Sequence, residues 1–181
     1  TGGKGGKGGL GGALAGNGGT GGRGGIGGSG GAGANGVATS TIISSADFNF
    51  PYNIAISPVD DIAYVGNANT NTVSVIDTST NTVIGSPIPG FNSPAGIAFT
   101  PDGATAYVAD INGATVSVVD TNSSTVTTSI PVGTGPDTVV VARDGATVYA
   151  ANRFGNSVSA IDVGTNTVVA TIPPTEFQDL G

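Results

Sequence analysis

The chain of 181 residues carries one sequence pattern three times, and this repetition restricts its fold more than any other feature. The copies begin at Pro51, Pro94 and Pro136, so that consecutive copies start 43 and 42 residues apart. A fixed period of this size is typical of repeat architectures, in which each copy forms one supersecondary unit. The predicted repeats cover residues 51–93, 94–135 and 136–173.

The middle repeat shows what each copy contains. Short runs rich in Val, Ile, Thr and Tyr alternate with gaps rich in Gly, Pro, Asn and Asp, which predicts strands joined by turns. One gap holds Pro101, Asp102 and Gly103, three residue types that favour a tight turn. No long stretch has the apolar period of a helix. The predicted strands cover residues 95–100, 105–109, 115–120 and 125–130.

The apolar pattern of these strands indicates how the repeats pack. The inner strands are apolar or small on both faces, which favours sheets stacked against neighbouring sheets, and the fourth strand is the most polar, as an outer edge should be. Tyr64, Tyr107 and Tyr149 recur with the repeat and are predicted to pack between the units. Four strands every ~42 residues match one blade of a β-propeller. We therefore predict an all-β fold, with three blades in an incomplete ring within residues 37–181.

Motifs inside the repeats resemble those of the YVTN-type β-propeller proteins. The sequences AYVAD at 106–110, VYAAN at 148–152 and YVGN at 64–67 are similar to the YVTN motif, and the PDG turn and the VSVVDT and VSVIDT strands also fit. The resemblance covers about residues 37–173. It implies a propeller fold and a surface-layer or secreted protein, and it implies little about ligands.

Residues 1–36 have a different composition, because they hold 21 of the 33 glycines and none of the prolines. Two glycines alternate with one other residue, and this register slips once between Ala13 and Asn17. The tract forms either a flexible coil or two threefold helical segments packed through their glycine edges, with a break at the slip. It resembles the PGRS region of the mycobacterial PE-PGRS family. That resemblance implies export of the parent protein to the cell surface through a PE domain, which this sequence does not contain.

The composition also bears on chemistry. The chain contains no His, Cys or Trp, so the usual general base, the commonest metal ligand and any thiolate site are missing. We therefore predict no catalytic, cofactor-binding or metal-binding residues and no enzyme activity. Outside the glycine tract the chain has two arginines and all 12 acidic residues, which give a net charge of −10. Such a charge repels nucleic acids. No apolar run is long enough to cross a membrane.

The acidic residues have a structural interpretation and a metal-binding alternative. Asp77, Asp120 and Asp162 each end a third strand, and we expect them to cap the following turn rather than bind a metal. Three further acids could join a calcium site, but no loop has the spacing of a calcium-binding loop. They are Asp60, Asp61 and Asp102.

The third repeat alone carries basic residues. Arg143 and Arg153 are its two cations, and Phe154 adds an apolar ring beside one of them. Loops held on a rigid scaffold often carry binding residues, so this group is the predicted partner-binding loop. The alternative is a pair of solvated loop arginines. The partners we expect are other proteins or components of the cell envelope.

Two functional classes fit these observations. The first is a non-enzymatic, surface-exposed or secreted binding or structural module that uses the glycine tract as a spacer. The second is part of a cofactor-binding or enzymatic propeller whose active residues lie in blades outside this sequence. The lack of His and Trp favours the first class.

The number of repeats raises the question of how the ring closes. Closed propellers have about four to eight blades, whereas this sequence predicts three blades and an orphan outer strand at 37–43. Closure could come from further blades in a longer protein or from a second chain, and an open fragment would expose apolar sheet faces. We expect an excerpt of a longer protein, although the repeat pattern lapses after Ile172, which favours closure by a second chain.

Overall fold

The computed structural model describes residues 43, 46 and 48–174. The chain divides into two units, Thr1–Ile42 and Ile43–Gly181, and all described residues belong to the second. The glycine tract at 1–36 therefore lies outside the described residues, as does the strand predicted at 37–43 apart from Ile43.

The described residues form twelve β-strands and no α-helix, as the residue pattern predicts. The four strands of the middle repeat begin and end within one residue of their predicted bounds. In chain order the strands are β1 Pro51–Ile56, β2 Ile62–Asn67, β3 Thr72–Asp77, β4 Thr82–Pro89, β5 Pro94–Phe99, β6 Thr105–Asp110, β7 Thr115–Asp120, β8 Thr125–Pro131, β9 Pro136–Val141, β10 Thr147–Asn152, β11 Ser157–Asp162 and β12 Thr167–Ile172.

Each repeat folds into one four-stranded antiparallel sheet, in which the strands follow chain order. We call these sheets blade 1 (β1–β4), blade 2 (β5–β8) and blade 3 (β9–β12). Tight turns connect the strands, and several of them place a residue other than glycine in the left-handed backbone region, where Asn is tolerated best. In the turns between third and fourth strands these residues are Asn81, Ser124 and Asn166.

Blades 1 and 2 pack face to face through an apolar core. Blade 1 contributes what we call its tyrosine face, the side that carries the repeated tyrosine. Blade 2 contributes what we call its aliphatic face, the opposite side of the sheet. The tyrosine face of blade 1 includes Tyr64, Val73, Val75 and Ile88, and the aliphatic face of blade 2 includes Ile97, Ala106, Val108 and Val119.

The same packing recurs one repeat later. The tyrosine face of blade 2 meets the aliphatic face of blade 3, so the three sheets stack in one direction around an arc. The first of these faces includes Tyr107, Val116, Val118 and Ile130, and the second includes Val139, Val148, Ala150 and Ile161. The prediction of an all-β fold with three propeller blades in an open ring is confirmed.

This direction of stacking leaves the tyrosine face of blade 3 at one end of the arc. The prediction that all three tyrosines pack between blades is therefore wrong for Tyr149, which is 41% exposed, whereas Tyr64 and Tyr107 are 0% and 1% exposed. Val140 on the same face is also exposed. At the other end, Ile54 and Ile56 are exposed on the aliphatic face of blade 1. An open arc thus presents apolar residues at both ends.

Candidate functional site

Each third strand ends in an aspartate that closes the following turn, as predicted. The Oδ1 atom of Asp77 accepts hydrogen bonds from the backbone N–H groups of Ser79 and Thr80 at 2.8 and 3.0 Å. The hydroxyls of Ser79 and Thr165 are the main cause of the lowered pKa of Asp77 and Asp162, and the Ser123 N–H is the main cause for Asp120, because such bonds stabilise the ionised carboxylate. The other two accept an N–H from the residue three positions ahead at 2.8 Å: Asp120 and Asp162.

In the turn between the first and second strands of blade 2, the acid serves its own turn. Asp102 accepts the Thr100 hydroxyl at 2.6 Å and the Ala104 N–H at 3.1 Å, and the Thr100 bond lowers its pKa. Asp60 and Asp61 lie in the corresponding turn of blade 1. In the part of the chain that the structure describes, no three His, Cys, Asp or Glu side chains are grouped as metal ligands would be.

A set of buried polar pairs at the opposite end of the blades was not predicted from the sequence. The last residue of each second strand is an Asn or Asp, and it bonds to a serine in the middle of the third strand. The signal in the sequence is that these serines recur at the repeat period. The pairs are Asn67 with Ser74 at 2.8 Å, Asp110 with Ser117 at 2.5 Å, and Asn152 with Ser159 at 2.9 Å.

Asp110 is the acidic member of this set. Its Oδ2 atom accepts the hydroxyls of Ser117 and Thr115, and its Oδ1 atom accepts the backbone N–H of Asn92 at 3.1 Å. Burial raises the pKa of Asp110, and these hydrogen bonds offset only part of that rise. A shifted pKa can mark a functional site, but here both carboxylate oxygens are bonded to groups of the chain itself.

The structure brings two members of the predicted binding loop together and separates the third. The guanidinium carbon of Arg153 lies 5.6 Å from the centroid of the Phe154 ring, within the range of a cation–π contact. Arg143 precedes strand β10, whereas Arg153 follows it. The six residues of that strand span about 20 Å, so Arg143 lies at the opposite end of the blade.

Arg153 belongs to a polar cluster that links the first blade to the last. Its Nη1 atom lies 4.0 Å from Oδ2 of Asp137. The phenol of Tyr52 donates a hydrogen bond to Oδ1 of the same carboxylate at 3.0 Å, which joins β1 to β9. This bond raises the pKa of Tyr52, because a phenolate beside a carboxylate is disfavoured.

An apolar groove of about 470 Å³ lies next to this cluster, on the open aliphatic face of blade 1. Tyr52 lines both the groove and the cluster, and the described lining of the groove contains no charged side chain. A groove of this size and polarity fits apolar groups of a ligand. Its other lining residues include Phe48, Ile54, Val65 and Ile76.

The geometry can be compared with known proteins. No known family profile matches the chain. The chain is similar to the PE-PGRS family protein PE_PGRS18 of Mycobacterium tuberculosis, with 52% identity over 50 residues, which is 28% of this chain and 11% of that protein. Among the described residues, no helix is long and apolar enough to cross a bilayer.

Two solved structures resemble the fold. Hydrazine synthase of Kuenenia stuttgartiensis superposes with a TM-score of 0.66 and 30% identity, over 71% of this chain and 37% of that one. A protein of unknown function from Desulfotomaculum acetoxidans gives 0.61 and 26%, over 71% of this chain and 43% of that one. The fold is propeller-like. The chain spans less than half the length of either protein, and the YVTN resemblance stays a prediction from the motifs.

Proposed function

We propose that this chain is a non-enzymatic binding or structural module of the cell surface, in which an arc of propeller blades follows a glycine-rich spacer. The observation that carries the proposal is the apolar groove beside the polar cluster of Tyr52, Asp137, Arg153 and Phe154. Exposed Tyr, Phe and Arg side chains next to an apolar depression are the combination that dominates binding energy at protein interfaces.

The state of the acidic groups supports a binding role over catalysis. The repeated aspartates hold turns, and Asp110 is bonded within its blade. Asp137 is shared between Tyr52 and Arg153. None of these contacts orients a nucleophile or a general base towards the groove, and the sequence offers no His or Cys for that purpose.

The proposed location at the cell surface rests on the glycine tract. The 50-residue similarity to a PE-PGRS protein agrees with the PGRS-like sequence of residues 1–36. The family resemblance implies export and association with the envelope, which supports envelope components or other surface proteins as partners.

A binding experiment tests the proposal. Purified 181-residue chain is mixed with isolated mycobacterial envelope fractions, and the bound fraction is measured by cosedimentation over a range of concentrations. Tyr52→Ala and Phe154→Ala should each weaken binding about 10-fold or more, as truncation of an interface anchor does. Val169→Ala is the control, because Val169 is about as exposed as Phe154 and lies on the outermost strand of blade 3. Equal binding by all variants would refute the assigned surface.

A second candidate function comes from the comparison with hydrazine synthase, whose name denotes an enzyme. Under this alternative the chain is part of a cofactor-binding or enzymatic propeller, and the active residues lie in blades outside this sequence. Turnover that survives purification and is lost in Asp137→Asn, with the fold intact, would favour the alternative over the binding module.

A further inference from the structure

The two blade–blade interfaces share the position of the tyrosine hydroxyl as well as an apolar core. The hydroxyl of Tyr107 in blade 2 donates to Oδ1 of Asn166 in blade 3 at 2.9 Å. The hydroxyl of Tyr64 in blade 1 lies near Ser124 of blade 2, which partly offsets the rise that burial causes in the pKa of Tyr64. In both interfaces the repeated tyrosine therefore reaches the turn between the third and fourth strands of the next blade.

The two ends of the arc present the halves of one more such interface. On the aliphatic faces, Ile97 and Val139 are 7% and 4% exposed, whereas the equivalent Ile54 of blade 1 is 58% exposed. On the tyrosine faces, Tyr149 of blade 3 is exposed, although both of its counterparts are buried. The innermost strand of blade 1 thus lacks a covering face, and the tyrosine face of blade 3 lacks a partner.

The turn between the third and fourth strands of blade 1 resembles the turns that the buried tyrosines reach in the other blades. Asn81 occupies the position of Ser124 and Asn166, and all three have a positive φ, of 56°, 53° and 53°. A blade that placed its tyrosine over Ile54 and Ile56 would bring the phenol to Asn81, just as Tyr107 reaches Asn166.

We propose that a second copy of this chain closes the ring. The tyrosine face of blade 3 in each copy packs on the aliphatic face of blade 1 in the other, and Tyr149 donates a hydrogen bond to Asn81 of the other copy. The three blades of the described residues do not form a closed ring by themselves, since closed propellers have roughly four to eight. Two copies give six blades, and a twofold axis makes both contacts equivalent.

The contact area lies on the inner part of each face. Ile43 and Phe48 already cover the outer part of the aliphatic face of blade 1. They pack there against Ala63, Val65 and Ile76. Ile54 and Ile56 on the innermost strand remain open, and they are the counterparts of residues that contact the tyrosine face in the internal interfaces. Ile54 also lines the groove, so a second copy and a ligand compete for this part of the face. Blade 3 offers Val140 and Tyr149 to this inner part.

A charge-complementation experiment on the full 181-residue chain tests the proposal. Sedimentation velocity should show a dimer for the wild type, and Tyr149→Lys and Ile56→Glu should each raise the dimer dissociation constant at least ~100-fold, because an unpaired charge enters both contacts. Mixing the two variants should restore a dimer. In that heterodimer one contact pairs Lys with Glu, and the other keeps the wild-type residues.

The control variant is Phe154→Lys, which changes an exposed apolar residue outside both faces and should leave the dimer intact. Circular dichroism verifies that each variant is folded. A wild-type monomer at all concentrations would overturn the proposal, as would a dimer that resists both substitutions. Failure of the mixture to associate would overturn the head-to-tail arrangement, and an open-ended assembly would overturn closure. If Phe154→Lys weakens envelope binding but leaves the dimer intact, the two measurements distinguish the proposed function from dimer formation.

Discussion

Replacement of Ser124 by Asn should stabilise the protein, because it supplies the buried Tyr64 hydroxyl with the partner that Tyr107 already has. Among the described residues, the Tyr64 hydroxyl has no hydrogen-bond partner of good geometry. One repeat later, Asn166 accepts the Tyr107 hydroxyl at 2.9 Å from the equivalent turn position. Ser124 and Asn166 have the same φ of 53°, so the backbone already suits the substitution.

The magnitude follows from two contributions. A buried hydroxyl that gains its missing partner recovers about 1 kcal/mol of unfolding free energy. Asn also tolerates the left-handed backbone better than Ser, which adds a few tenths of a kcal/mol, on the order of 0.5. The sum of about 1–2 kcal/mol should raise Tm by roughly 3–8 °C for a domain of this size.

A double-mutant cycle in reversible urea or thermal unfolding isolates the hydrogen bond. Tyr64→Phe should be neutral or slightly stabilising in the wild type, because it removes an unpaired buried hydroxyl, but it should cost about 1 kcal/mol in the Ser124→Asn background. In the other interface, Tyr107→Phe and Asn166→Ser should show this coupling without any added partner. A gain from Ser124→Asn that persists in full with Phe at position 64 would refute the hydrogen-bond explanation.

Two further predictions follow from close packing and from burial of charge. Gly96→Ala should destabilise the fold by about 1–3 kcal/mol in urea unfolding, because a Cβ there would lie 2.7 Å from Cα of Thr138; Gly164→Ala, with 3.5 Å of clearance, is the control and should change little. Asp110→Asn should alter the pH dependence of stability. The raised pKa of Asp110 means that its protonated form stabilises the fold below the unfolded-state pKa of about 3.9, and this contribution is lost as the pH rises through the folded-state pKa. The stability of the variant relative to the wild type should therefore rise as the pH increases from about 4, and a flat difference would contradict this.

The elements that were predicted well depend on local sequence. Turn residues such as Gly103 and the runs rich in Val, Ile, Thr and Tyr define each strand without reference to the rest of the chain. The aspartate caps are equally local, since Asp77 bonds residues two and three positions ahead. Local chemistry was therefore enough to predict twelve strands, their turns and the three sheets.

The features that were not predicted depend on neighbours that a single repeat does not encode. Tyr149 occupies the same position in its repeat as Tyr107, but its burial depends on whether another blade packs over it. The bond between Tyr52 and Asp137 joins residues 85 positions apart through the curvature of the arc. Arg143 and Arg153 are separated because a whole strand lies between them. In each case the outcome is set by the arrangement of the blades.

The most direct test of the account is a cross-link between the two ends of the arc. The chain has no cysteine, so Asn81→Cys and Tyr149→Cys can be introduced separately without background reaction. The tyrosine side chain spans a longer distance than a disulfide can bridge, so a short bismaleimide linker is used to join the two cysteines. A covalent dimer should form when the two single variants are mixed, and little product should form from either variant alone. Equal cross-linking within each variant alone, or none in the mixture, would contradict the claim that the two faces pack against each other.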